Sequence, residues 1–119
     1  MTPLAERRSR SLRADEDRFW DILDAAEAMQ RFTIGKARED LADEVLFWAL
    51  VAQVAILGEA AARVTELGRE RLPDVPWSAI VGMRNQLVHG HWSIDLDELW
   101  RTIEHDIPRL VAQLRDRPR

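Results

Sequence analysis

Residues 45–57 read VLFWALVAQVAIL, and Gln53 is the only polar side chain among them. The run does not alternate as a half-buried strand does, and a helix that is apolar on every side is typical of a core element. We predict a helical region over roughly 38–67 with this run at its centre. Glu44 and Glu59 bound the run, which is shorter than the about 20 residues that a membrane span needs. A buried central helix is therefore favoured, and no membrane association is expected.

The segment before this run is predicted to contain one helix and a basic tail. Apolar residues recur at helical spacing from about Asp15, at Phe19, Ile22, Leu23, Ala26 and Phe32. Residues 33–36 break the pattern before the central helix. Upstream of Asp15, the stretch Arg7–Arg13 holds four arginines and one large apolar side chain. We therefore predict a polar basic tail over 1–14, more typical of a solvated segment than of an RNA contact, and a helical domain over 15–116.

The segment after the run is predicted to contain two more helices. Residues 73–76 include two prolines, which separate the central helix from one that begins around Trp77. Asp95 and Glu98 have capping-box spacing at the start of a last helix, and Pro108 within it should produce a kink. No segment has the alternation of a strand. The sequence predicts an all-α, up-and-down bundle of four or five helices.

Length and composition limit the classes of protein that fit. A chain of 119 residues, 46% of them hydrophobic, corresponds to one domain with a modest core that dimerisation would help. There is no cysteine, and the N-terminal residues are too polar for a signal peptide, so we expect a cytoplasmic protein. A formal net charge of −4 argues against nonspecific coating of nucleic acid but leaves a local site possible. No pattern for a cofactor is found.

The stretch MRNQLVHGHW at 83–92 concentrates the groups that can do chemistry. Arg84 lies within the apolar arc of its helix, so its guanidinium must meet a carboxylate, a carbonyl or a phosphate. Glu59 is the obvious carboxylate. His89 is placed in the last turn, because Gly90 is typical of the position just past a helix end. Arg84 is therefore either half of a structural ion pair or the floor of an anion site.

This stretch resembles the signature of the HEPN superfamily, in which an arginine, a neighbouring polar residue and a histidine recur together. Arg84, Asn85 and His89 match it. The HepT-like toxin branch is more similar still, since its motif is Arg, four residues, His, any residue, Tyr. Here His91 occupies the tyrosine position. The surrounding sequence agrees over roughly 15–114, which makes the likeness fairly specific.

The resemblance implies a metal-independent endoribonuclease. His89 would move a proton as the RNA 2′-hydroxyl attacks the adjacent phosphate, and a cyclic phosphate would form. Arg84 would hold the phosphate, and Asn85 would orient His89 or a phosphate oxygen. In such proteins the site lies in a cleft between two subunits, so a homodimer is expected. Trp77 and Trp92 flank the motif and are candidates, with Glu59, for residues that line the cleft.

His91 is where this sequence departs from the HepT-like pattern. The tyrosine at this position is the residue to which a partner nucleotidyltransferase antitoxin attaches AMP, and an imidazole lacks the phenolic oxygen. His91 is open to three interpretations: a second acid or base, an alternative nucleotide acceptor, or a loop residue without a role. A cognate nucleotidyltransferase antitoxin and an RNA substrate are the partners that the resemblance implies.

Other interpretations of the same residues are weighed against the ribonuclease. His89 and His91 could reach one metal ion, but a tight site needs three or four ligands, and we predict no metal. The chain could instead be an inactive HEPN module that binds a nucleotidyltransferase or a nucleotide. A third possibility is a purely structural dimer in which Arg84 and Glu59 form a buried pair.

Overall fold

The computed structural model describes residues 3–88 and 94–117, with only the backbone at Leu87 and Val88. Its elements are α1 (Leu4–Phe32), a 3-10 helix (Arg38–Ala42), α2 (Glu44–Arg63), α3 (Glu66–Arg71), α4 (Trp77–Val88), α5 (Leu96–Arg101), a π-helical turn (Thr102–Asp106) and α6 (Ile107–Arg115). The last three are continuous, so the described residues form four long helical segments and the short α3. The predicted all-α class is confirmed.

The core lies where α1 contacts both α2 and α6, and α2 also packs against α4. The largest fully buried apolar side chains come from α1, the 3-10 helix, α2 and α6: Phe19, Ile22, Met29, Leu41, Leu50 and Leu114. Because α1 and α2 provide most of this apolar surface, they form the base on which α4 and the motif are placed.

The central helix α2 begins at Glu44 and is capped by Asp43, whose carboxylate accepts the Leu46 backbone N–H at 3.0 Å. The predicted region thus divides into the 3-10 helix, α2 and α3. By length and composition alone, α2 could cross a membrane, since it has 20 residues and a mean hydropathy of 1.9. The prediction that this helix is too short for a membrane span was therefore wrong. Its packing against α1 and α4 accounts for one side of the helix. The other side remains exposed and apolar.

Helix α1 begins at Leu4, well upstream of the start predicted near Asp15. The prediction of a tail rested on the lack of apolar residues before Asp15. Once residues from Asp15 onwards are fixed by packing, however, each further helical residue adds a hydrogen bond without a new nucleation cost. The Arg13 side chain also donates to Ser9 Oγ at 2.8 Å. Residues 3–10 are exposed, and the first buried side chain described along the chain is Asp15.

The C-terminal helical segment begins at Asp95, as predicted. The Asp95 carboxylate accepts the backbone N–H groups of Asp97 and Glu98, at 2.8 and 3.4 Å. Pro108 was predicted to kink this segment, and the structure has a π-helical turn over Thr102–Asp106, two residues before the proline. Beside this wider turn lies an apolar cavity of about 60 Å³, which Ile80 and Met83 of α4 also line.

Asp15 joins α1 to the start of α3. Its completely buried carboxylate accepts the Thr65 backbone N–H at 2.8 Å and the Thr65 hydroxyl at 2.5 Å. The Thr65 hydroxyl in turn accepts the Gly68 N–H at 3.2 Å and caps α3. A Cβ at Gly68 would lie 2.5 Å from an Asp15 oxygen, so a side chain would displace the carboxylate. This network fixes the turn between α2 and α3.

Replacing Asp15 with Asn should lower the free energy of unfolding by about 1–3 kcal/mol, because an amide cannot accept both hydrogen bonds on its two terminal atoms. The matched control is Asp17→Asn, at an exposed position two residues along α1, where a change within about 0.5 kcal/mol is expected. Urea denaturation measures both. Equal midpoints for the two variants would contradict the role given to Asp15.

Candidate functional site

Helices α2 and α4 pack closely together at Gly58. A Cβ built on Gly58 would lie 2.2 Å from the Cβ of Arg84 and 3.3 Å from its Cα. Contacts that short do not occur, so any side chain at this position would push α4 away from α2. The glycine therefore sets where the Arg84 side chain leaves α4.

The Arg84 guanidinium is held by two neighbours. Its Nε and Nη2 donate to the same oxygen of Glu59, at 3.0 and 2.8 Å. Its Nη1 donates to Asn85 Oδ1 at 2.7 Å. The predicted pairing of Arg84 with Glu59 is confirmed, and Asn85 is placed beside the cation.

The pair is not buried, which corrects the expectation from the helical wheel. The side chains of Arg84 and Glu59 are 26% and 48% exposed. The wheel placed the Arg84 Cα on the apolar arc, but a long arginine stem can lie along apolar surface while the charged end reaches water. The guanidinium is therefore accessible to a ligand from solvent.

Glu59 is ionised at neutral pH. Hydrogen bonds from Arg84, together with its charge, lower the pKa of the Glu59 carboxyl below its ordinary value. Arg63, at 3.4 Å from the other Glu59 oxygen, acts in the same direction. A carboxylate with a lowered pKa is a poor proton acceptor. Glu59 is thus suited to orient Arg84 rather than to act as a base.

Arg84 retains donors for an anion. A guanidinium has five N–H groups, and three of them make the hydrogen bonds to Glu59 and Asn85. The remaining two N–H groups belong to Nη1 and Nη2. Both can donate to the oxygens of a phosphate.

The Arg84 groove is an open depression of about 440 Å³ lined by residues of α1, α2 and α4: Arg18, Asp21, Ala55, Ile56, Glu59, Ala60, Arg63 and Arg84. Three of these charged residues were not predicted from the sequence: Arg18, Asp21 and Arg63. The spacing of Glu59 and Arg63 by four residues could have indicated the latter. Arg18 and Asp21, which are 3.4 Å apart, come from a distant segment, and no sequence pattern indicates their position here.

Other predicted site residues are either buried or outside the described residues. Trp77 does not line a cleft, because it is 7% exposed, packs near Phe19 and donates its indole N–H to Leu72 O at 3.0 Å. An indole at the start of α4 is long enough to reach the core. His89, His91 and Trp92 fall outside the described residues. In residues 3–88 and 94–117 no cluster could hold a metal ion, and the His89 and His91 pair stays untested.

Comparisons with known proteins show the family of this chain. The sequence profile described as "Ribonuclease HepT-like" matches residues 22–116. The chain is 33% identical over 96 residues to "Putative RNase MJ1380" of Methanocaldococcus jannaschii, covering 80% of this chain and 88% of the relative. It is 32% identical over 102 residues to "Probable ribonuclease HepT" of Thermococcus cleftensis, covering 85% and 93%. The chain belongs to the HepT-like ribonuclease family.

A third relative of this HepT-like chain has a similar identity. "Putative RNase TTE0752" of Caldanaerobacter subterraneus is 34% identical over 96 residues, which cover 80% of this chain and 86% of the relative. No solved structure matches the chain. The matched range 22–116 contains Gly58, Glu59, Arg84 and Asn85, so the contacts described above lie within the HepT-like part of the chain.

In this HepT-like fold, Gly58→Ala should lower the free energy of unfolding by about 1–3 kcal/mol, because the added methyl overlaps Arg84. Gly82→Ala is the matched control, since Gly82 also lies in a helix but has open space around its Cβ position. That change should raise stability by up to about 1 kcal/mol. Urea denaturation separates the two. A Gly58→Ala protein as stable as the parent would show that α2 and α4 are not held this closely.

Proposed function

We propose that this protein is a metal-independent endoribonuclease toxin, and that the nucleophile in the cleavage is the 2′-hydroxyl of the RNA. The family to which the chain belongs supports ribonuclease as the activity. The observation that carries the proposal is the accessible Arg84 guanidinium, fixed by Glu59 and Asn85 with two N–H groups left for an anion.

The reaction requires groups that move protons and one group that binds the phosphate. The 2′-oxygen forms a bond to phosphorus, and the bond from phosphorus to the 5′-oxygen breaks. A 2′,3′-cyclic phosphate and a 5′-hydroxyl result. His89 is the proposed acid or base: it accepts the 2′-hydroxyl proton or donates one to the departing 5′-oxygen. His91 is a second candidate for one of these two transfers.

Arg84 stabilises the charge that builds on the phosphate oxygens. A donor already oriented before the reaction needs no rearrangement in the transition state, which is why such groups contribute strongly. Glu59 and Asn85 provide this orientation, and they are positioning residues. The charged side chains of the Arg84 groove carry a net charge of +1, from three arginines against Asp21 and Glu59, which favours an anionic ligand.

Arg84→Met should reduce cleavage of RNA at least about 100-fold while the protein stays folded. Methionine retains much of the apolar stem, and Glu59 keeps Arg63 as a partner, so no buried charge is left alone. The measurement is the yield of 2′,3′-cyclic phosphate ends from cellular RNA in a buffer with a chelator.

Arg63→Met is the matched control for this prediction, because it removes a positive charge from the same groove and the other contact of Glu59. It should retain most of the activity. If Arg63→Met and Arg84→Met lose the same fraction of cleavage activity, Arg84 contributes only its positive charge and does not bind the phosphate specifically. A parent protein that binds RNA but forms no cyclic ends would favour the inactive binding module.

We further propose that two copies pair through the α2 stripe, defined as Val45, Trp48, Ala52 and Ile56. These four residues are exposed, and with Glu59 and Arg63 they account for every exposed position of α2 after Glu44. All six fall within about 80° of the helical wheel. An apolar face of this kind on a domain with a modest core favours a self-complementary contact.

The position of the α2 stripe relates this pairing to the site. The stripe continues into Glu59 and Arg63, which hold or adjoin Arg84. Small Ala52 at its middle would allow two α2 helices to cross closely. A twofold contact there would bring the Arg84 grooves of both copies to the edges of one interface, as a cleft shared between subunits requires.

Ile56→Lys should convert the proposed dimer to a monomer, because a lysine would bury its charge in the apolar contact. The matched control is Ile34→Lys at a position that is 75% exposed and off the stripe. Sedimentation equilibrium measures the mass of each. A parent that is monomeric at micromolar concentration, or an Ile56→Lys protein that remains dimeric, would rule out this interface.

The proposed partner is a nucleotidyltransferase antitoxin. The family resemblance supports it, although His91 in place of the motif tyrosine removes the phenolic oxygen that would accept AMP. Neutralisation would then proceed through His91 as the acceptor or through contact alone. Mass measurement of the protein after incubation with ATP and the partner distinguishes these two routes.

A further inference from the structure

The fold brings the two basic ends of the sequence to one place. Arg13 of α1 and Arg115 and Arg117 at the C-terminus line the same groove, although about a hundred residues separate them. Arg71 of α3 is also part of it. The groove has a volume of about 860 Å³ and forms between α1 and the end of α6. We call it the Trp20 groove, after the aromatic residue that lines it.

The indole of Trp20 forms an oriented surface in this groove. It is 52% exposed, which is unusual for so large an aromatic ring. The Arg117 guanidinium lies 4.9 Å from one face of its ring and 5.8 Å from Phe19. Arg117 is itself fixed by Glu16 at 2.5 Å and by a hydrogen bond to Leu114 O, and its side chain is 8% exposed. Arg117 thus acts as a positioning residue for the indole.

The charged residues of the groove favour an anion. Arg13, Arg71, Arg115 and Arg117 carry four positive charges, against Glu16 and Glu27, which gives a net +2 from the lining residues. Arg115 contacts Glu27 at 2.5 Å but remains 59% exposed, and Arg13 is exposed beside Ser9. Both guanidinium groups retain N–H donors that face solvent.

We infer that the Trp20 groove binds single-stranded RNA at a point away from the cleaved bond, with a base stacked on Trp20 and phosphates on Arg13 and Arg115. An exposed indole beside guanidinium groups is the combination with which proteins hold single strands without reading their sequence. This inference rests on the proposed function only in taking RNA as the substrate.

The surface of α1 indicates how a strand would connect the two grooves. The residues of α1 in the Trp20 groove and those in the Arg84 groove lie on opposite sides of the helix. Between these two sides, the exposed surface of the first turns of α1 carries three arginines at successive angles around the helix: Arg7, Arg10 and Arg13. Further along the same surface the exposed residues are acidic: Asp17, Asp21 and Asp24. A strand that reaches both grooves would therefore pass over the N-terminal turns of α1. This gives the protruding start of α1 a role.

The test measures binding by fluorescence anisotropy of a labelled 12-residue uridine RNA on the full chain carrying Arg84→Met, so that cleavage does not interfere. Trp20→Leu should weaken binding about tenfold, as expected for the loss of one stacked base. Arg13→Gln with Arg115→Gln should reduce the slope of log affinity against log salt by about 1.4, since each phosphate contact on a single strand contributes about 0.7.

The matched control is Arg31→Gln with Arg109→Gln. These arginines are exposed on the same two helices, α1 and α6, but outside the Trp20 groove. This variant has the same net charge as the Arg13 and Arg115 variant, and it should bind with the parent's affinity and salt slope. Urea midpoints establish that each variant is folded. Where Trp20→Leu does not fold, the arginine pair decides the result alone.

Binding that is unchanged in the Trp20 and Arg13/Arg115 variants, or reduced equally in the Arg31/Arg109 control, overturns the inference. So does equal affinity for a duplex of the same length, whose bases cannot stack on an indole. A parent that cleaves no RNA would defeat the proposed function while this binding result stands. If Trp20→Leu binds RNA as well as the parent and the parent cleaves RNA normally, the inference is wrong but the proposed function stands.

Discussion

The position of Arg84 depends on how closely α2 and α4 approach at Gly58. A residue with no side chain lets the backbone of one helix contact the Cβ of an arginine on the other. Glu59, the next residue on α2, then meets the guanidinium with one oxygen that accepts two N–H groups. Gly58 makes the close contact and Glu59 makes the ion pair. One turn of α2 therefore sets the distance between the two helices and orients the Arg84 guanidinium.

The residues that stabilise the fold are separate from the charged residues that can bind a ligand. The buried contacts of α1 with α2 and α6 hold the bundle together, and Asp15 fixes the turn between α2 and α3. None of these groups needs to be reached from solvent. The charged groups of the Arg84 groove and of the Trp20 groove lie on the surface of that core, on two sides of α1. The same long helix thus supports both surfaces, mainly through residues outside the core.

The sequence predicted the elements well where apolar periodicity was strong. The all-apolar run of α2, the prolines before Trp77 and the capping-box spacing at Asp95 predicted three helices. The start of α1 was missed because helix extension from a packed segment leaves no apolar signal. The contact of Glu59 with Arg84 was predicted, since a cation on an apolar arc requires a partner. Its exposure was not, because a wheel places Cα atoms and not the end of a flexible side chain. The wrong role for Trp77 has a related cause, since proximity in sequence to a motif does not determine which way an indole points.

The cavity beside the π-helical turn affects one side of α4. Atoms that line an apolar cavity have fewer dispersion partners than atoms in a close-packed core, and Ile80 and Met83 of α4 line this one. Hydrostatic pressure favours arrangements in which such loosely packed regions take up less volume. The helix that carries Arg84 is therefore packed closely against α2 and more loosely against the C-terminal segment.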